Sequence, residues 1–138
     1  MIRLVLDTNI VISGLLWDGI PSQLFAHVKT GRAGLFTSAV MVAELENVLG
    51  RAKLSKKIGM RNMTPQRLLA AYVSRCTLVS PAPLMAIAPD PDDDWVIGTA
   101  VAAQADMIVT GDRPFLEVRE VGSVRIINAV EALQMFGD

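Results

Sequence analysis

Leu4-Val5-Leu6-Asp7 and Met107-Ile108-Val109-Thr110-Gly111-Asp112 follow one pattern, an apolar run that ends at an aspartate. Short runs of Leu and β-branched residues read as strands buried on both faces, the kind that parallel sheets contain. An acidic side chain at the carboxyl end of such a strand points into the crevice where open α/β sheets place their ligands. Between the two runs lies the acidic knot Asp90-Pro91-Asp92-Asp93-Asp94, and a lone Glu44 sits among Val40, Met41, Val42, Ala43 and Leu45. Carboxylates converging on one crevice repel one another unless protons or a cation compensate them. A hard divalent cation is the economical reading of this set.

Outward from these strands, helix and strand signals alternate. Residues 2–6 form a strand, and Thr8 or Asn9 caps a helix carrying Ile10, Val11, Ile12, Leu15 and Leu16. Asp18-Gly19 and Pro21 mark a turn, and 21–29 reads as a second helix with Leu24, Phe25 and Val28 inward. Gly31 and Gly34 punctuate before a strand around 35–37, and Ser38 caps a third helix. Two further helices follow near 51–58 and 65–75, the second with Thr64 as cap and Pro65 in its first turn. Thr77-Leu78-Val79 is a strand, and Pro81, Pro83, Pro89 and Pro91 keep the next stretch extended. Asp92 or Asp93 then caps a helix to about Ala105, followed by a strand at 107–110 and a loop over 113–122. Val124–Ile127 is the last strand, and Asn128 caps a closing helix that ends near Phe136. Strands alternating with helices imply an α/β fold whose parallel sheet is covered on both faces. No repeat, low-complexity tract or linker divides the chain, so residues 1–138 read as one domain.

Composition narrows the chemistry. Half the residues are hydrophobic and a fifth are charged, which argues against disorder. No apolar stretch reaches the roughly 20 residues of a membrane span. The first residues lead straight into a strand, with no signal-peptide core. Cys76 is the only cysteine, which excludes an internal disulfide and suits a reducing cytoplasm. His27 is the only histidine, so a zinc site of the His/Cys kind lacks ligands. A metal here would be bound through oxygen, which favours magnesium or manganese.

The net charge of −1 conceals an asymmetry. From Asn47 to Pro89 there is no acid, while Arg51, Lys53, Lys56, Lys57, Arg61, Arg67 and Arg75 all fall there. A basic segment beside an acidic pocket suits an enzyme that cuts phosphodiesters: cations hold the backbone and carboxylates hold the catalytic ions. An ordinary solvated helix face would show the same charges. The acids also have plain structural readings. Asp7 suits a helix N-terminus, Asp112 a turn after Gly111, and the Asp90–Asp94 run a turn and cap. Glu44 is harder to place that way, whereas Glu46 points to another side of its helix, toward solvent.

Taken in order, Leu-Asp-Thr-Asn at residues 6–9, the helical Glu44, Asp-Pro-Asp-Asp-Asp at 90–94 and Val-Thr-Gly-Asp at 109–112 resemble the PIN domain. The resemblance runs from Leu4 to about Val130. It is closest to the prokaryotic PIN proteins that form the toxin component of toxin–antitoxin pairs, the VapC-like ribonucleases. It implies a three-layer α/β/α fold with a central, mainly parallel sheet, related to flap endonucleases. By position, Asp7 matches the family's first aspartate, Glu44 its helical glutamate and Asp112 its fourth acid. Asp94 best matches the third acid, with Asp93 the alternative in the same run. Thr8, Asn9 and Thr110 occupy polar positions beside the acids and would hold water or orient carboxylates.

The activity implied is that of a magnesium- or manganese-dependent endoribonuclease with one or two ions and a metal-activated water. No histidine or cysteine nucleophile is required. Arg113, directly after Asp112, would steady a phosphate or simply serve as surface charge. The partners implied are an RNA substrate and a small antitoxin, whose arginine would pair with the carboxylates. A homodimer or higher homo-oligomer is also implied, with Trp17, Leu84, Met85, Met135 and Phe136 as candidate contacts. Two other classes compete. A catalytically silent PIN-fold scaffold would bind RNA or protein without manganese. A receiver-like phosphotransfer module would need an acidic pair by the first strand and a late lysine, and here Asp7 stands alone.

Overall fold

The computed structural model describes residues 1–83 and 86–137. The first apolar run forms strand β1 (Ile2–Leu6), and the second forms β4 (Met107–Val109). Leu4, Val5 and Leu6 are essentially inaccessible, as are Ile108 and Val109. Side chains alternate across a strand, so Leu4 and Leu6 enter one core while Val5 and Ile108 enter a second on the opposite face. The uninterrupted apolar runs therefore serve two cores at once.

The remaining strands are β2 (Ala33–Thr37), β3 (Cys76–Leu78), β5 (Glu120–Val121) and β6 (Val124–Ile127), and the sheet order is β3-β2-β1-β4-β6-β5. Every pairing is parallel except that of β5 with β6. Helices α1 (Thr8–Leu16), α2 (Ile20–Lys29), α3 (Ala39–Leu49), α4 (Ala52–Met60), α5 (Pro65–Val73) and α8 (Ala129–Gln134) contribute to the core over Leu4 and Leu6. Helices α6 (Pro91–Ala102) and α7 (Arg113–Leu116) cover the other face through Val96, Ile97, Ala100 and Phe115. The α/β fold with a central, mainly parallel sheet and helices on both faces is the one expected from the sequence.

Chain order places the site. From β1 the strands run outward through β2 and β3, and the chain then returns to add β4 on the other side of β1. The β1/β4 boundary is thus the point where strand order reverses, the crevice where open α/β sheets bind ligands. Asp7 follows β1 directly, and Asp112 comes after β4 with only Thr110 and Gly111 between, both at that crevice.

Several local expectations are corrected. The cap of α1 is Asp7, whose side chain accepts from Thr8 N, and not Thr8 or Asn9. Ser38 stands at the N-cap of α3 without a capping hydrogen bond. Helix α6 starts two or three residues early, capped by Asp90 and not by Asp92 or Asp93, with Pro91 in its first turn. The 113–122 stretch contains α7 and β5 instead of a loop. Phe115, fully buried, ties α7 to the second core. Gly122, at φ +59°, makes the tight turn that pairs Val121 with Val124.

Candidate functional site

Asp7 is buried at the bottom of the crevice, and both of its carboxylate oxygens are held. Oδ1 accepts from Thr8 N at 2.9 Å, and Oδ2 accepts from Thr110 Oγ1 at 2.7 Å. Thr110, itself inaccessible, also accepts from Asp112 N at 3.1 Å. The neighbouring Thr8 hydroxyl donates to Glu44 Oε2 at 3.1 Å, which ties α3 to the start of α1. Asp7, Thr8, Glu44 and Asp112 thus form one connected network drawn from three distant parts of the chain.

These residues line an open crevice of about 440 Å³ together with Asn9, Arg51, Asp90, Asp92 and Asp93. Of the two α6 acids that line it, Asp93 is half-buried and Asp92 exposed. The Asp93 carboxyl is pushed up to about 7, first by burial and then by the charges of Asp7, Asp90, Asp112 and Glu44. Asp7 is also raised, mainly by burial, although its bonds from Thr110 and Thr8 favour the anion.

Asp94, the residue preferred from the sequence for the third acid, is turned away from the group. Its Oδ1 accepts from the backbone amides of Ile87 and Ala88 at 3.0 and 2.9 Å, tying down the chain ahead of α6. The reason is helical phase. With Asp90 as cap, Asp93 and Asp94 lie about 100° apart around α6. Of the two, only Asp93 lines the crevice with the other carboxylates.

The basic residues are distributed unevenly. Arg51, at the N-cap of α4, is the cation that lines the crevice among the described residues. Lys53 and Lys56 are exposed on the same helix. Lys57 lies 5.4 Å from the centre of the Trp17 ring, and Arg61 donates to the Leu16 carbonyl and faces Asp18 at 3.9 Å. Both are therefore engaged in joining α4 to the end of α1. Arg113 is exposed at the start of α7 and does not line the crevice. Phe136, expected at a subunit contact, is buried and stacked on His27 at 4.2 Å between ring centres. Trp17 and Met135 are about half exposed, while Leu84 and Met85 lie outside the described residues.

The donor set suits a hard cation. Every metal-binding side chain at the crevice is an oxygen donor, and the mutual repulsion of the acids would be relieved by positive charge. Among the described residues no three carboxylates converge tightly enough to enclose an ion unaided. Water would complete the shell, as suits magnesium, which gives up its waters reluctantly. No helix among the described residues is long and apolar enough to cross a membrane.

Comparison with solved structures supports the fold. The chain is similar to VapBC2 from Rickettsia felis bound to a DNA fragment from their promoter, with a TM-score of 0.61 and 18% identity. That likeness covers 92% of this chain and 98% of the other. It is also similar to FitAcB from Neisseria gonorrhoeae, with a TM-score of 0.53, 21% identity and the same coverage of both chains. No curated protein matches the sequence. The sequence profile of the PIN domain matches residues 3–114, from β1 into the first turn of α7. It takes in Asp7, Glu44, Asp93 and Asp112, the acids that the fold gathers at the strand-order reversal, and the chain belongs to the PIN domain family.

Proposed function

We propose that this protein is a magnesium- or manganese-dependent endoribonuclease and that Asp7, Glu44, Asp93 and Asp112 hold its metal. The observation that carries the reading is the gathering of these four carboxylates in one crevice, with Asp93 raised to about 7 by burial and by the acids around it. When bound, the cation would supply Lewis acidity and lower the pKa of a nearby water. The chain's own residues do the positioning. Thr110 and Thr8 hold Asp7 in one orientation, and Thr8 sets Glu44 against it. Arg51, which lines the crevice, offers a guanidinium fork to two oxygens of a phosphate. Lys53 and Lys56 extend positive charge along α4 for the RNA backbone. Asn9, at the crevice wall, supplies a neutral polar group to bound water.

We further read the chain as the toxin of a type II pair in the cytoplasm, neutralised by a small antitoxin and assembled as a homo-oligomer. The likeness to VapBC2, a complex bound to promoter DNA, supports that reading. An antitoxin arginine entering the crevice would satisfy the same carboxylates that hold the ion.

The deciding experiment is cleavage of total RNA by the parent and by Asp7→Asn in magnesium and in manganese, with the cut sites mapped. The substitution is expected to abolish cleavage and leave the circular dichroism spectrum unchanged. Equal rates for parent and Asp7→Asn would refute the mechanism. Calorimetry with manganese separates the enzyme from a catalytically silent scaffold, because a scaffold would give no binding heat.

A further inference from the structure

A groove between α3 and α6 continues the acidic crevice. Its floor is the buried pair Met41 and Val96, and its walls are Val40, Glu44, Asp92 and Trp95. Glu44 and Asp92 line the crevice as well, so the two spaces share a wall. The groove measures about 160 Å³, room for a single planar ring system.

Trp95 is 50% exposed although it sits on a firmly anchored turn. Val96 and Ile97 beside it are buried, and its carbonyl accepts from the Thr99 hydroxyl at 2.8 Å. Thr99 in turn contacts Ser38 Oγ at 2.8 Å, locking α6 to the start of α3. The backbone is fixed while the indole remains in water next to a carboxylate site. Proteins that take single-stranded nucleic acid combine a backbone-holding site with aromatic rings on which bases stack. The groove reproduces that pairing: Arg51 and the acids are on the crevice side, and the indole is one wall further along.

Building on the ribonuclease reading above, we propose that Trp95 is a substrate-binding residue. The nucleotide next to the scissile phosphate lays its base against the indole in the α3–α6 groove. Stacking uses the face that every base has, so it anchors RNA with little regard for sequence. It acts equally on bound substrate and transition state, so its loss raises KM and leaves kcat nearly unchanged.

The test uses the full chain and a short single-stranded oligoribonucleotide. Trp95→Ala is expected to raise KM about tenfold or more at nearly constant kcat, and Trp95→Phe to recover most of the loss. The chain has two tryptophans, so Trp17→Phe leaves Trp95 as the sole indole reporter. Its fluorescence is expected to be quenched on addition of the oligoribonucleotide. An unchanged KM in Trp95→Ala, or no quenching in Trp17→Phe, overturns the stacking role and leaves the nuclease reading intact. Failure of the nuclease reading has another signature, cleavage by Asp7→Asn at the parental rate or no cleavage by the parent. In that event the quenching measurement alone decides whether Trp95 binds RNA.

Discussion

Thr110 Oγ1 donates to Asp7 Oδ2 at 2.7 Å and joins the ends of β1 and β4 at the point where strand order reverses. The same oxygen accepts from Asp112 N, so one hydroxyl positions both strand-end aspartates. Thr110→Val keeps the side chain's shape and removes both interactions. Manganese affinity and kcat/KM for RNA are expected to fall about 10–100-fold. Loss of a bond to a buried carboxylate should also lower stability at neutral pH by about 1.5–3 kcal/mol. Calorimetry and denaturant unfolding check the two effects separately, and an unchanged manganese affinity would show that Thr110 does not orient the site.

Asp93 and Asp94 should separate cleanly by substitution. Asp93 faces four other acids, whereas Asp94 serves the amides of Ile87 and Ala88. Asp93→Asn is expected to reduce metal-dependent cleavage by about 10²-fold or more, as loss of a group that stabilises the transition state does. Asp94→Asn keeps an oxygen for the two amides and should cleave within a few-fold of the parent. Asp94→Ala removes that acceptor and should cost about 1 kcal/mol of stability. Cleavage rates that rank the two positions in the reverse order would restore Asp94 to the site.

The difference between these neighbours marks where sequence reading stops. Apolar runs ending in Asp7 and Asp112 were legible because a strand buried on both faces needs an unbroken apolar sequence. Glu44 stood out for a related reason, a charge in an apolar stretch of helix. The acid at 93 or 94 depends on the rotational phase of α6, which turns about 100° per residue. That phase follows from where the helix begins, and four acids around Pro91 all make acceptable caps. Only packing of Val96, Ile97 and Ala100 into the second core resolves it. The 113–122 stretch was hidden differently: α7 has four residues and β5 two, too short to show any period.

Thr99 and Ser38 are both inaccessible, and their hydroxyls meet at 2.8 Å between α6 and α3. Thr99→Val leaves the Ser38 hydroxyl buried without that partner, at a cost of about 1–3 kcal/mol. Nothing in the crevice changes chemically, so cleavage per folded molecule should stay at the parental level. Thermal unfolding paired with active-site titration by manganese checks the split. A loss of cleavage beyond the unfolded fraction would instead mean that the α3–α6 contact sets the position of Glu44 or Asp93.

Asp93 also makes the metal-free fold sensitive to pH, with a definite sign. Folded, its carboxyl is pushed up to about 7 by burial and the surrounding acids, from an ordinary aspartate value of 3.8. Between those values the folded protein holds a proton that the unfolded chain has lost. Stability therefore falls as pH rises from about 4 and, for this group, levels off above about 7. The raised carboxyl of Asp7 acts in the same direction. A cation favours the ionised acids, so its affinity should rise with pH through that window. In chelator, Asp93→Asn is expected to gain stability over the parent progressively across the window, and manganese should narrow the gap by stabilising the parent more than the variant. A parent-to-variant difference that stays constant with pH would place Asp93 outside the interacting carboxylates.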